Sequence, residues 1–191
     1  MDSVEFGRVP ALFGSGTLVL AEPLRPVFRA WHGPKMHLLA ADGTVLATLH
    51  ETAGHRYVLR NLADRPVLTV HLVAGGGLAR PRFQVSGADG SPIGEVRSPR
   101  RLSHARLLEA QAEGGGTLRA TRSAPAGRTW LMTDQHDDVT ARITVSTARS
   151  FDGLQRYRVE PVRIADEDQR ALVVAVAVCL QVVRRWLAAP H

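Results

Sequence analysis

RALVVAVAVCLQVVRRW, residues Arg170–Trp186, is the most apolar stretch of the chain. Its centre, Ala171–Val183, holds thirteen residues, all apolar except Gln181. Coiled into a helix at about 1.5 Å per residue, these cover roughly 20 Å. A bilayer core requires about 30 Å, or close to 20 apolar residues. Arg170 and Arg184–Arg185 bracket the run tightly. The stretch therefore reads as a buried helix, with no transmembrane span. Its valines would also suit a strand, but the flanks decide for helix. Asp166 stands as an N-cap with Gln169 three residues on, the spacing of a capping box. Glu167 and Asp168 place negative charge at the positive end of the helix dipole, and Arg184 and Arg185 place positive charge at the other. The helix is expected at about residues 166–187.

No polar face runs along this helix. Leu172, Val173, Val174, Val176, Val178 and Leu180 point around the full circumference, so the whole cylinder must be enclosed. Each such residue contributes about 1.5–3 kcal/mol when fully buried. Left in water, the surface would be an aggregation site. Cys179, the single cysteine, lies inside it and reads as a small buried hydrophobe.

What encloses it is legible upstream. VTARITV (Val139–Val145) alternates apolar and polar residues, as do PVLTVHLV and PRFQVSG. Period-two alternation gives a strand one dry and one wet face. Asp42-Gly43, Ala63-Asp64-Arg65, Asp89-Gly90, Gly114-Gly115-Gly116 and Asp137-Asp138 separate successive runs, a loose repeat of hairpins. With TLVLA, VFRAW (Val27–Trp31) and RYRVEPV, about twelve or thirteen strands are expected. Many strands with one dry face, followed by a helix dry everywhere, predict a mainly β protein: a closed antiparallel barrel of roughly twelve strands around its C-terminal helix. An eight-stranded barrel is filled by its own side chains, so more strands are needed. A two-sheet sandwich capped by the helix is the alternative. The expected organisation is an irregular extension at residues 1–16, one barrel domain over 17–187 and a tail at 188–191.

The 191 residues are 45% hydrophobic, with a formal charge of +6. The calculated pI is about 10.8. Lys35 is the only lysine, so the basic character is almost wholly arginine. Such a balance suits partners rich in phosphate or carboxylate. One cysteine excludes an intramolecular disulfide and a thiolate metal cluster. MDSVEFGRVP carries acids early and lacks a long apolar core, so a secretory signal is not expected and a cytoplasmic location is.

The Asp-Gly hairpins, the aromatic strand RTWLM, VTARITV, and YRVEPVRIADEDQRALVVAVAVCLQVV together resemble the superfamily that joins phospholipid scramblases, tubby-like C-terminal domains and LURP-one-related proteins. The resemblance spans roughly residues 17–187. It implies a twelve-stranded barrel enclosing its C-terminal helix, and no single activity. Tubby-type members bind phosphoinositide headgroups; scramblase members are membrane-associated and respond to calcium. This chain lacks a Cys-rich palmitoylation segment, and Ile164–Asp168 reads as a helix cap and not as a calcium loop.

The remaining motifs are weak. His50-Glu51-Thr52-Ala53-Gly54-His55 spaces its histidines five apart, where a zinc-protease box needs four. Asp134, His136, Asp137 and Asp138 cluster potential ligands, but at a position where a turn is expected. Gly75-Gly76-Gly77 and Phe13-Gly14-Ser15-Gly16 match no phosphate cradle, and no serine stands in a triad setting. Trp31, Trp130 and Trp186 read as core or barrel rim. No enzyme, cofactor or metal is expected. The best candidate is the loop Arg97–Arg106, where Arg97, Arg100, Arg101, His104 and Arg106 gather charge able to neutralise a phosphate-bearing headgroup. The expectation is a non-enzymatic barrel binding an anionic phospholipid surface or an acidic protein, peripheral to a membrane. A structural or regulatory protein-interaction domain is the alternative. Nucleic acid is disfavoured, since no aromatic platform adjoins the loop.

Overall fold

One turn is used five times. In each, the N–H of the first residue donates to the carbonyl of the fifth, and the N–H of the fourth donates back to the first. The first residues are Ala40, Gly87, Ala112, Asn61 and Asp134. The fourth residue has positive φ every time: Gly43, Gly90 and Gly115, and Asp64 at 58° and Asp137 at 62°. This is the three-residue hairpin loop that ends in a left-handed residue. Asp tolerates that region better than most side chains. Side chains brace the turns as well. Asn61 Oδ1 accepts from the N–H groups of Ala63 and Arg65, and Asp134 Oδ1 from those of His136 and Asp138.

The structure is a computed structural model that describes residues 13, 16–23, 35–75, 80–99, 107–124, 127–147, 155–164 and 166–188. The strands are β1 (Leu18–Ala21), β2 (Met36–Ala40), β3 (Val45–Thr52), β4 (Arg56–Asn61), β5 (Pro66–Ala74), β6 (Arg82–Gly87), β7 (Pro92–Arg97), β8 (Leu107–Ala112), β9 (Thr117–Arg122), β10 (Thr129–Thr133), β11 (Val139–Thr147) and β12 (Gln155–Pro161). Among the described residues there is one α-helix, α1, over Glu167–Ala188. Each strand pairs antiparallel with its neighbours in sequence, and β1 pairs with β12 (Leu20 opposite Tyr157), which closes the barrel. That pairing excludes the sandwich. VFRAW lies outside the described residues.

The alternation places Leu20, Leu38, Leu59, Val85, Leu108, Met132 and Tyr157 inside. All residues from Ala171 to Val183 are buried, so the helix is enclosed on every side. Asp166 Oδ1 accepts from the Gln169 N–H at 2.7 Å, the expected cap. Among the described residues no helix is long and apolar enough to cross a membrane.

The helix lies nearest β7 and β8, then β12 and β5. Small inward residues permit this approach: Gly94 on β7 faces Ala112 on β8, and Ala110 follows. A Cβ at Gly94 would stand 2.2 Å from the Gln111 carbonyl oxygen, so only glycine fits there. On the far wall, Met36, Leu38, Leu59 and Met132 fill the wider gap.

Val174 is 1% exposed. Val174→Asp should cost at least about 3 kcal/mol, because it leaves an unpaired charge in a dry lumen. Thermal unfolding and solubility are the readouts; a variant that melts like the parent contradicts the enclosed helix.

Candidate functional site

A closed meander delivers its connections alternately to two ends. One end holds the five repeated turns and the start of α1. The other holds the strand ends that the chain joins between β1 and β2, β3 and β4, β5 and β6, β7 and β8, β9 and β10, and β11 and β12, and the end of α1. The sequence of these segments separates charge. At the turn end they carry Asp42, Asp64, Asp89, Glu113, Asp134, Asp137, Asp138 and Asp166 against Arg65 and Arg163. In the segments that join the strands at the opposite end, residues 22–35, 53–55, 75–81, 98–106, 123–128 and 148–154, the only acids in the sequence are Glu22 and Asp152. Lys35, Arg25, Arg29, Arg80, Arg100, Arg101, Arg106, Arg128 and Arg149 belong to those same segments.

The last turns of α1 are fastened at this basic end by two polar clusters. Gln181, the lone polar residue of the apolar run, is 4% exposed and fully engaged. Its Oε1 accepts from the Tyr157 hydroxyl at 2.8 Å, and its Nε2 donates to Glu22 Oε1. Arg184 Nη2 reaches the same carboxylate oxygen at 3.2 Å. Glu22 Oε2 accepts from the Gln155 N–H, so β1, β12 and α1 meet at one carboxylate. Burial pushes the Tyr157 hydroxyl up to about 12, with Arg184 opposing and Glu22 adding to the rise. Its phenol therefore stays protonated and donates.

Glu51, near the end of β3, holds the second cluster. Its Oε2 pairs with Arg185 at 3.3 Å and Lys35 at 3.4 Å, and its Oε1 accepts from the Tyr57 hydroxyl. Burial works to raise the Glu51 carboxyl, but the charges of Arg185 and Lys35 outweigh it and hold it below its ordinary 4.5. Burial raises Tyr57 above the usual phenol range, and Glu51 beside it adds to the rise. Beyond this, Trp186 stacks on Phe83 with ring centroids 6.0 Å apart and meets the His55 ring edge-on. Arg184, Arg185 and Trp186 thus each have a partner on the wall.

The sequence-predicted loop is only partly described. Arg97 ends β7 and forms an ion pair with Glu109 at 3.0 Å, so an anion there would compete with that carboxylate. Arg82 pairs with Glu95 across the neighbouring β6–β7 ladder. Arg100, Arg101, His104 and Arg106 lie outside the described residues; Arg97 and Leu107, which flank them, are at the basic end. Trp31 and the rest of residues 24–34 also lie outside. His50 bonds Thr48 Oγ1, Glu51 is committed to Arg185, and His55 sits in the β3–β4 turn with positive φ. The Asp134–Asp138 segment is a hairpin turn whose Asp134 carboxylate is occupied by backbone N–H groups, while Asp138 pairs with Arg163. Gly75 has positive φ in the β5–β6 connection, and Gly76, Gly77, Gly14 and Ser15 lie outside the described residues. Cys179 is fully buried, which pushes its thiol up and leaves it inert.

Sequence reasoning missed a cleft of about 280 Å³ at the basic end. Leu180, Val183 and Leu187 of α1 form one side, and Leu108, Trp130 and Val145 of the wall form the other. Tyr157 and Gln155 also line it, and Arg122, Arg128 and Arg184 supply charge. It draws on strands far apart in sequence, so no local pattern marks it.

No protein-family model matches this chain, and none of the curated proteins matches it. Among solved structures, the X-ray structure of a protein from Arabidopsis thaliana is similar, with a TM-score of 0.56 over 94% of this chain and 99% of that one. The two share 14% identity, so the likeness concerns the fold alone.

Two outcomes test the fastening of the helix. Gln181→Leu strands the buried Tyr157 hydroxyl and should cost about 1–3 kcal/mol by chemical denaturation. Glu51 is depressed in the folded state, so its contribution is present above the unfolded value near 4.5 and is lost as pH falls through the lower folded value. The acid limb of the stability–pH curve should flatten in Glu51→Gln; an unchanged limb rules out the Glu51 cluster as its source.

Proposed function

We propose that this chain is a non-catalytic binding barrel, as the resemblance to the scramblase, tubby-like and LURP-one-related superfamily implies, and that its basic end rests on an anionic phospholipid surface on the cytoplasmic side of a membrane. The observation that carries this reading is the separation of charge between the two ends. By sequence, the turns at one end carry most of the aspartates, and the segments that join the strands at the other carry nine basic residues against two acids, Glu22 and Asp152. A molecule charged this way meets a negative surface in one orientation. Arginine forks suit phosphate oxygens, and several at once raise the affinity beyond what one provides. Arg100 and Arg101 are the proposed headgroup contacts, with Arg106 and His104 beside them in sequence and Arg97 released from Glu109 on binding. No nucleophile or acid–base pair figures in this role.

Flotation with vesicles of neutral lipid, with and without a fraction of phosphatidylserine or phosphatidylglycerol, tests it. Recovery should depend on the acidic lipid and fall as salt rises. Arg100→Glu with Arg101→Glu should weaken vesicle affinity at least about thirtyfold without lowering the melting temperature, since each basic residue near such a surface contributes about 1 kcal/mol. Equal recovery on neutral and acidic vesicles sinks the reading.

A further inference from the structure

We infer that the cleft beside the C-terminal turns of α1 binds a single-chain aliphatic carboxylate, a short- to medium-chain fatty acid, with its head at Arg122 and Arg128 and its tail against Leu180, Val183 and Trp130. The cleft itself carries most of the argument. At about 280 Å³ it stands at the lower edge of small-molecule sites, commonly about 300–1,000 Å³. That volume suits one chain and not a two-chain lipid. Its lining is mainly apolar, and none of the described residues lining it is Asp or Glu.

Charge then selects the head. Arg184 is already neutralised by Glu22. Arg122 is half-buried; its Nε donates to the Gly127 carbonyl at 2.6 Å, which fixes the fork beside the cleft and leaves its terminal N–H groups. Arg128 is exposed and makes no side-chain hydrogen bond or ion pair among the described residues. Two cations over an apolar trough, with no Asp or Glu among the described residues that line it, complement a ligand that has one anionic end and one greasy end. A neutral alcohol of the same length would fill the trough and leave the guanidinium groups unmatched. The Tyr157 hydroxyl, spent on Gln181, closes the floor and offers no competing polar group.

This inference does not rest on the membrane reading. Calorimetric titration of the full chain with octanoate, and with 1-octanol as the neutral counterpart, tests it. Octanoate should bind saturably, one per chain, and 1-octanol more weakly. Arg128→Glu should weaken octanoate at least about tenfold and leave 1-octanol unchanged, as expected for loss of a charge-assisted contact. Leu187 is 48% exposed at the mouth, so Leu187→Trp should block both ligands while leaving the melting temperature intact. Absence of saturable octanoate binding overturns the inference, as does binding indifferent to both variants. Vesicles that lose the Leu187→Trp protein, with octanoate inert, would make the occupant a membrane acyl chain instead. A dimer dispersed by Leu187→Trp in sedimentation equilibrium would make it a second copy. The vesicle arm with Arg100→Glu and Arg101→Glu reports on the headgroup surface alone, so the two readings fail separately.

Discussion

A helix without a wet face is the constraint from which the rest of this molecule follows. Thirteen successive positions, Ala171 to Val183, are buried, and no two-layer arrangement covers a cylinder on all sides. Only a closed wall does so. Closure also satisfies the strand edges that an open sheet would leave unpaired.

Enclosure fixes direction as well as position. Because α1 runs from the turn end to the loop end, its dipole has its positive pole among aspartates and its negative pole among arginines. Side-chain charge and backbone dipole are thus matched at both ends. The polar clusters around Glu22 and Glu51 hold the exit of the helix in register with the wall, since a shift by one residue would misplace Gln181, Arg184 and Arg185 together.

Much of the architecture was legible in one dimension because its causes are local. The cap at Asp166, the five turn signals and the period-two strands are contacts between near neighbours in sequence. Gln181 was visible as the exception in an apolar run, but its partners were not: Glu22 lies far upstream and nothing in its neighbours marks it. Arg184 and Arg185 read as dipole complements, yet each also has a specific carboxylate. The cleft was invisible for the same reason, being assembled from β8 through β12 and the last turns of α1. Arg97, grouped with the basic loop by sequence, is set apart by Glu109, its cross-strand neighbour.

The helix follows all twelve strands in the chain, and the strand that seals the wall, β12, immediately precedes it. A ribosome therefore delivers the container before its contents. Until residues 167–188 emerge, the greasy lining of β1–β11 has no helix to rest on, and the free edge of β1 must wait for β12, more than a hundred residues downstream. Such long-range pairing slows folding and prolongs exposure of sticky intermediates. Vectorial synthesis thus leaves the inner face of the wall uncovered until α1 has been made.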